Sequence, residues 1–170
     1  HVVVTTAVTV PFGAGTIDLG GLGASLQTVT FTEAVSIGSS GSVTIAGAPT
    51  TGTMTFDKGA TFDGFFGIGD VTTLTLNVGT DSTVAFGSTG QFDAADLTDL
   101  TINLGEGITG FTGVTKASGT DVNKLETVNV VGGSDDLFTM DFDTNQSGAI
   151  AEIDLSLFDG DATINVFSVV

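Results

Sequence analysis

The chain lacks cysteine, tryptophan, tyrosine and arginine, has two prolines, and has a single histidine at position 1. Without Cys there is no disulfide framework and no thiolate-bound zinc or iron–sulfur centre. Lys58, Lys116 and Lys124 are the only cations among 170 residues, against 20 Asp and Glu, for a formal net charge of −17. Nucleic-acid binding needs clustered Lys or Arg against phosphate, so that class is excluded. A Ser-His-Asp relay needs a histidine inside the fold, and His1 is the only one. No apolar run approaches the roughly 18 residues of a membrane-spanning helix, so no membrane insertion is expected. The Gly-rich stretches near residues 13–15 and 20–23 lack the following Lys of a phosphate loop.

Glycine (25), phenylalanine (13) and a 41% hydrophobic fraction are what the chain does have. That much apolar surface offsets the charge and supports a packed core rather than disorder. Helical periodicity is weak; the stretches Phe92–Leu97 and Gly119–Leu125 are the only candidate helical turns. Short alternating segments rich in Thr, Val, Ile and Phe dominate, separated by Gly, Asn, Asp and Ser. This is the chemistry of strands and turns.

An apolar pattern φ-x-x-φ-x-φ recurs at Leu26/Val29/Phe31, Val71/Leu74/Leu76, Leu97/Leu100/Ile102, Leu125/Val128/Val130 and Ile150/Ile153/Leu155. The last four are spaced by 26, 28 and 25 residues, and the gap from 26 to 71 is 45, near two shorter coils. Ser42–Ile45 marks the expected missing one. A steady period of this length signals stacked repeats, each burying its apolar edge against the next. A second strand follows each pattern, with Phe86, Phe111, Phe138 and Phe167 as interior fillers. The expected fold is all-β: a parallel β-solenoid of short strands, with an antiparallel β-sandwich as the alternative. Thr30, Thr75, Thr101 and Asn129 fall on the outer side and suit a polar ladder along the stack. Residues 1–170 read as one β-rich domain, with 1–25 as a donor or capping strand and 26–170 as the repeat body; the region before Val71 fits the repeat less well.

One local motif carries metal chemistry. Asp143-Thr-Asn145-Gln-Ser147-Gly148-Ala-Ile150, with Asp154 in the twelfth position, places oxygen ligands as a Ca²⁺ loop does, with Gly at the sharp turn. The candidate ligands are Asp143, Asn145, Ser147 and Asp154; the competing reading is an ordinary polar turn between strands. Looser acidic groups lie at Asp93/Asp96/Asp99, Asp135/Asp136 and Asp159/Asp161. Paired carboxylates can hydrolyse glycosides, but the aromatic platforms that hold sugars, Trp and Tyr, are absent, so no enzymatic activity is expected. The N-terminal run His1–Pro11 is uncharged in its side chains apart from His1 and strongly β-prone. It reads as a first strand or as a strand donated to a neighbouring subunit.

Segments such as Val71–Val78 and Leu97–Leu104, and the acidic Asp159-Gly-Asp161 before an apolar tail, resemble bacterial surface-layer and type I secreted acidic β-repeat proteins. That resemblance implies calcium-dependent folding outside the cell or at its surface, and assembly of copies of the same chain into a lattice. A cell-surface glycan is the expected anchor. The expected role is a self-assembling structural subunit, in a surface layer or filament. The runner-up is a secreted adhesin or other binding module facing a glycan or ice.

Overall fold

The computed structural model describes residues 2–4, 8–10, 16–18, 28–37, 42–44, 51–63, 65–67, 71–86, 91–93, 96–114, 124–143 and 150–167. Among them there are strands and turns and no helix. The first sheet is formed by β1 (Val2–Val4), β4 (Thr28–Phe31), β7 (Thr51–Phe56), β10 (Thr73–Val78), β13 (Asp99–Leu104), β15 (Thr127–Gly132) and β17 (Glu152–Phe158), in that order. The second is formed by β2 (Val8–Val10), β5 (Val35–Ile37), β8 (Ala60–Phe62), β11 (Thr83–Phe86), β14 (Gly110–Val114), β16 (Leu137–Asp143) and β18 (Asp161–Phe167). A shorter third sheet contains β3 (Thr16–Asp18), β6 (Ser42–Thr44), β9 (Phe65–Gly67) and β12 (Gln91–Asp93). Every neighbouring pair runs parallel. The chain is therefore a parallel β-solenoid, in which each coil adds one strand to each of the two seven-stranded sheets.

Alternation within the strands explains the core. In β10 and β13 every second side chain is buried, and Leu74, Leu76, Leu100 and Ile102 are at most 1% exposed. Like positions stack from coil to coil: Leu76 beside Ile102, Ile102 beside Val130. Phe31 and Phe56 lie parallel with ring centroids 5.2 Å apart, and Phe56 meets Phe62 edge-on across the coil at 5.8 Å. Phe111 and Phe138 repeat this stacking further along, at 6.0 Å. Phe86 and Phe167 lie in β11 and β18, but their side chains fall outside the described residues.

The coil between Leu26 and Val71 differs from expectation. It is β7, with Met54 and Phe56 inward, that stacks between β4 and β10. Ser42–Thr44 belongs instead to the third sheet. The described strands before Val71 thus join the same sheets as the rest. Asp96 is in a turn and Phe92 in β12, while residues 119–123 of the other candidate helical turn lie outside the described residues.

The corners between the first and second sheets are tight. Gly107 has φ +87°, a left-handed conformation natural to glycine, and Gly59 has φ +80°. Asp81 adopts φ +51° in the coil before Gly107, tolerable for Asp.

Candidate functional site

The outer face of the first sheet is a ladder. One file runs Thr28, Thr53, Thr75, Thr101, Asn129, Asp154. The next, two residues further along each strand, runs Thr30, Thr55, Asn77, Asn103, Val131. A third runs Thr51, Thr73, Asp99, Thr127, Glu152. Side-chain bonds link coils along the second file: Asn103 Nδ2 donates to Asn77 Oδ1 at 2.9 Å, and Asn77 Nδ2 donates to Thr55 Oγ1 at 3.1 Å. Parallel stacking brings like side chains to about 4.8 Å spacing, so an amide can donate to the coil below and accept from the coil above. Between β4 and β15 these side chains are nearly all half-buried, and Asp99 is the one charged group among the outward positions.

The corners carry much of the acid. Ser82, Thr109 and Asp136 form a file spaced by 27 residues, and all three are buried. Asp136 Oδ1 accepts from the Thr109 N–H at 3.1 Å and from Thr109 Oγ1 at 2.7 Å, and its Oδ2 accepts from the Gly133 N–H. Ser82 Oγ donates to the Asp57 carbonyl in the preceding coil at 3.1 Å. Asp81 Oδ1 accepts from the Ile108 N–H, 27 residues on, at 3.0 Å. These carboxylates and hydroxyls hold the backbone of one coil to the next. The acidic pair Asp135/Asp136 thus divides: Asp135 is exposed, and Asp136 is 1% exposed and part of the frame. The sequence signal for this was the 27-residue spacing of Ser82, Thr109 and Asp136 rather than the acidity of the turn.

Two of the three lysines also join coils. Lys58 pairs with Glu33 at 2.8 Å, and Lys124 with Asp96 at 2.5 Å, both at exposed positions. Asp99 accepts from Thr98 Oγ1 at 2.7 Å.

The candidate calcium residues divide between sheets. Asp143 closes β16, where it pairs with Phe167, and Asp154 lies in β17, opposite Asn129. Asn145 and Ser147 lie outside the described residues, as does the side chain of Asp143. The Ser156 hydroxyl and then the Ser156 N–H, at 2.8 Å from Oδ1, stabilise the ionised Asp154 carboxylate and hold its pKa below the ordinary 3.8. Among the described residues no three His, Cys, Asp or Glu side chains are grouped to hold a metal ion.

The residues of the N-terminal run that are described, Val2–Val4 and Val8–Val10, lie in β1 and β2 and pair with β4 and β5 of the same chain. At the other end, Ile153, Leu155 and Ile164 are only partly buried against the core, and Leu157 is 67% exposed. Ile108 and Leu137 are also exposed, and a shallow groove of about 510 Å³ runs over Leu104, Glu106, Val131 and Asp135. No family model, no curated protein and no solved structure matches the chain.

Proposed function

We propose that the chain is a non-enzymatic, extracellular structural subunit that self-assembles end to end, building a filament or surface layer that calcium stabilises. The observation that carries this reading is the pair of one-sided strand edges at the two ends of the described stack. Among the described residues β1 and β2 have partners on one side, as do β17 and β18, and all fifteen strand pairings are parallel. An open strand edge offers a row of backbone donors and acceptors to any strand of matching spacing. A second copy supplies that spacing, and its Val2/Val4 and Val8/Val10 have the same alternation as Ile153/Leu155 and Ala162/Ile164. Joining the last coil of one copy to the first coil of another continues both sheets without a change of direction. Such a head-to-tail contact does not close on itself and generates a filament.

Charge supports the same polarity. The last coil carries Glu152, Asp154, Asp159 and Asp161 and no lysine, whereas Asp18 is the only acid among residues 1–26. Two last coils brought together repel; a last coil against a first coil does not. Bound calcium relieves the remaining repulsion, with Asp143 and Asp154 as the first candidates. The lack of Arg, Trp, Tyr and an internal His, together with the resemblance to secreted acidic repeat proteins, supports a structural rather than catalytic role outside the cell.

The test is electron microscopy of the purified chain at millimolar Ca²⁺ and in chelator. The expected result is a filament whose subunits repeat at about 34 Å, seven coils at ~4.8 Å each. A monodisperse monomer under both conditions overturns the reading.

A further inference from the structure

We propose that the Thr/Asn face of the first sheet is a second, lateral self-contact, through which two end-to-end stacks of this chain pair face to face. This rests on the end-to-end assembly above. The chain carries a net charge of −17, so two copies repel wherever their acidic corners meet. The outer face from β4 to β15 carries little of that charge. Asp99 is its one charged outward side chain, with Thr and Asn filling nearly all the rest.

Periodicity selects the occupant. Files of Thr and Asn lie in register from coil to coil, so the face repeats at about 4.8 Å along the stack. A second copy presents the same repeat, and its side chains match automatically along the whole contact. Identical short side chains facing each other across two sheets can interdigitate closely, as in a dry zipper. The face also lacks the aromatic side chains on which a sugar ring would rest.

Size sets the strength. Five strands of about six residues cover a face of roughly 24 by 20 Å. A facing pair buries about 1,000 Å², at the lower limit for a specific interface. One such contact is weak. In a stack each copy adds another, so the contacts act together and pairing follows filament formation rather than preceding it. Lateral pairing of this kind turns a filament into the start of a layer.

The experiment compares three forms of the full chain by electron microscopy and sedimentation: wild type, Thr75→Glu/Thr101→Glu, and Thr75→Lys/Thr101→Lys. Both positions are half-buried on the outer face, and circular dichroism checks that each variant is folded. The expected wild-type polymer is a paired filament. The Glu variant is expected to give single filaments of half that width with the axial repeat unchanged, and a mixture of Glu and Lys variants to restore pairs. Should either variant fail to fold, the single substitution Thr101→Glu or Thr101→Lys replaces its double counterpart. Polymers whose width is the same in wild type and Glu variant overturn the lateral contact while leaving end-to-end assembly standing. Absence of any polymer overturns the end-to-end reading itself. Adsorption of wild type, but not the Glu variant, to ice or to crystalline polysaccharide, with no paired filaments, assigns the face to that surface instead.

Discussion

Asp136 and Thr109 are one coil apart and share a buried clamp: Asp136 Oδ1 accepts from both the backbone N–H and the hydroxyl of Thr109, at 3.1 and 2.7 Å. The same carboxylate accepts from the Gly133 N–H through Oδ2. Its buried oxygens therefore satisfy three donors at the corner, and the frame of the solenoid depends on it. In Asp136→Ala those donors lose their acceptor, which costs about 3 kcal/mol. The melting temperature is expected to fall by about 6–12 °C. Asp136→Asn keeps one carbonyl oxygen for Thr109 but turns an NH₂ group toward another donor, so about half that loss is expected. Thermal unfolding followed by far-UV circular dichroism measures both; a fall under 2 °C in Asp136→Ala would contradict the clamp.

The ladder on the first sheet makes a separate energetic claim. Asn77 donates to Thr55 and accepts from Asn103, so it links three coils. Asn77→Ala removes both bonds at a half-exposed site and is expected to cost about 1–2 kcal/mol. A double-mutant cycle of Asn77→Ala with Asn103→Ala is expected to give a coupling of about 0.5–1 kcal/mol. Additive single effects in urea unfolding would mean that the amides act independently.

Much of this architecture was legible in the residues. Leu97, Leu100, Ile102, Leu125 and Val128 are all 0% exposed, as a repeating inward pattern requires. The pattern failed at β7 for a physical reason. Gly52 occupies the slot that Leu74 fills in the next coil, and a methyl group added at Gly52 would lie 3.7 Å from Leu74 Cδ1. Val29 stacks through Met54 on Leu76, 47 residues on, rather than on Leu74, 45 residues on, so Thr30 stacks over Thr55 and Asn77 rather than in the Thr75 file. The role of Asp136 was not legible from acidity alone. Two adjacent aspartates look alike until the coil register decides which turns inward.

Glycines at the corners separate tight contact from spare space. A Cβ at Gly79 would lie 2.3 Å from the Asp57 carbonyl oxygen and 2.6 Å from its Cα, both backbone atoms of the preceding coil. The Gly79 N–H donates to the Phe56 carbonyl at 2.9 Å, which fixes the approach. Gly79→Ala therefore forces the two coils apart and is expected to cost about 2–3 kcal/mol. At Gly52 the nearest atoms are side-chain methyls in ordinary contact. Gly52→Ala is expected to be neutral or to stabilise by about 0.5 kcal/mol, because the unfolded chain loses freedom. Chemical denaturation of the two variants side by side gives the comparison; equal destabilisation would mean that coil spacing is not what Gly79 protects.

Asp154 links pH to the calcium proposal. Its pKa lies below 3.8 because the Ser156 hydroxyl and N–H favour the ionised carboxylate. A carboxyl with a depressed folded-state pKa stabilises the fold above its unfolded value and loses that contribution as pH falls through the folded value. The pH dependence of that contribution is thus confined to pH below about 4, and at neutral pH the contribution is fully present. Ser156→Ala removes the hydroxyl, the larger cause, and is expected to move the Asp154 pKa upward toward 3.8 in a carbon-detected NMR titration; an unmoved value would rule out the hydroxyl bond. The calcium role is read at neutral pH instead, where Asp154 is ionised with or without Ser156. Wild type and Ser156→Ala are expected to show the same rise in melting temperature on adding millimolar Ca²⁺, whereas Asp143→Ala/Asp154→Ala loses it. Since oxygen ligands hold Ca²⁺ by charge and number, removing two candidate carboxylates is a far larger change than removing a neighbouring hydroxyl. A full calcium-dependent rise in the double variant would place calcium stabilisation elsewhere on the chain.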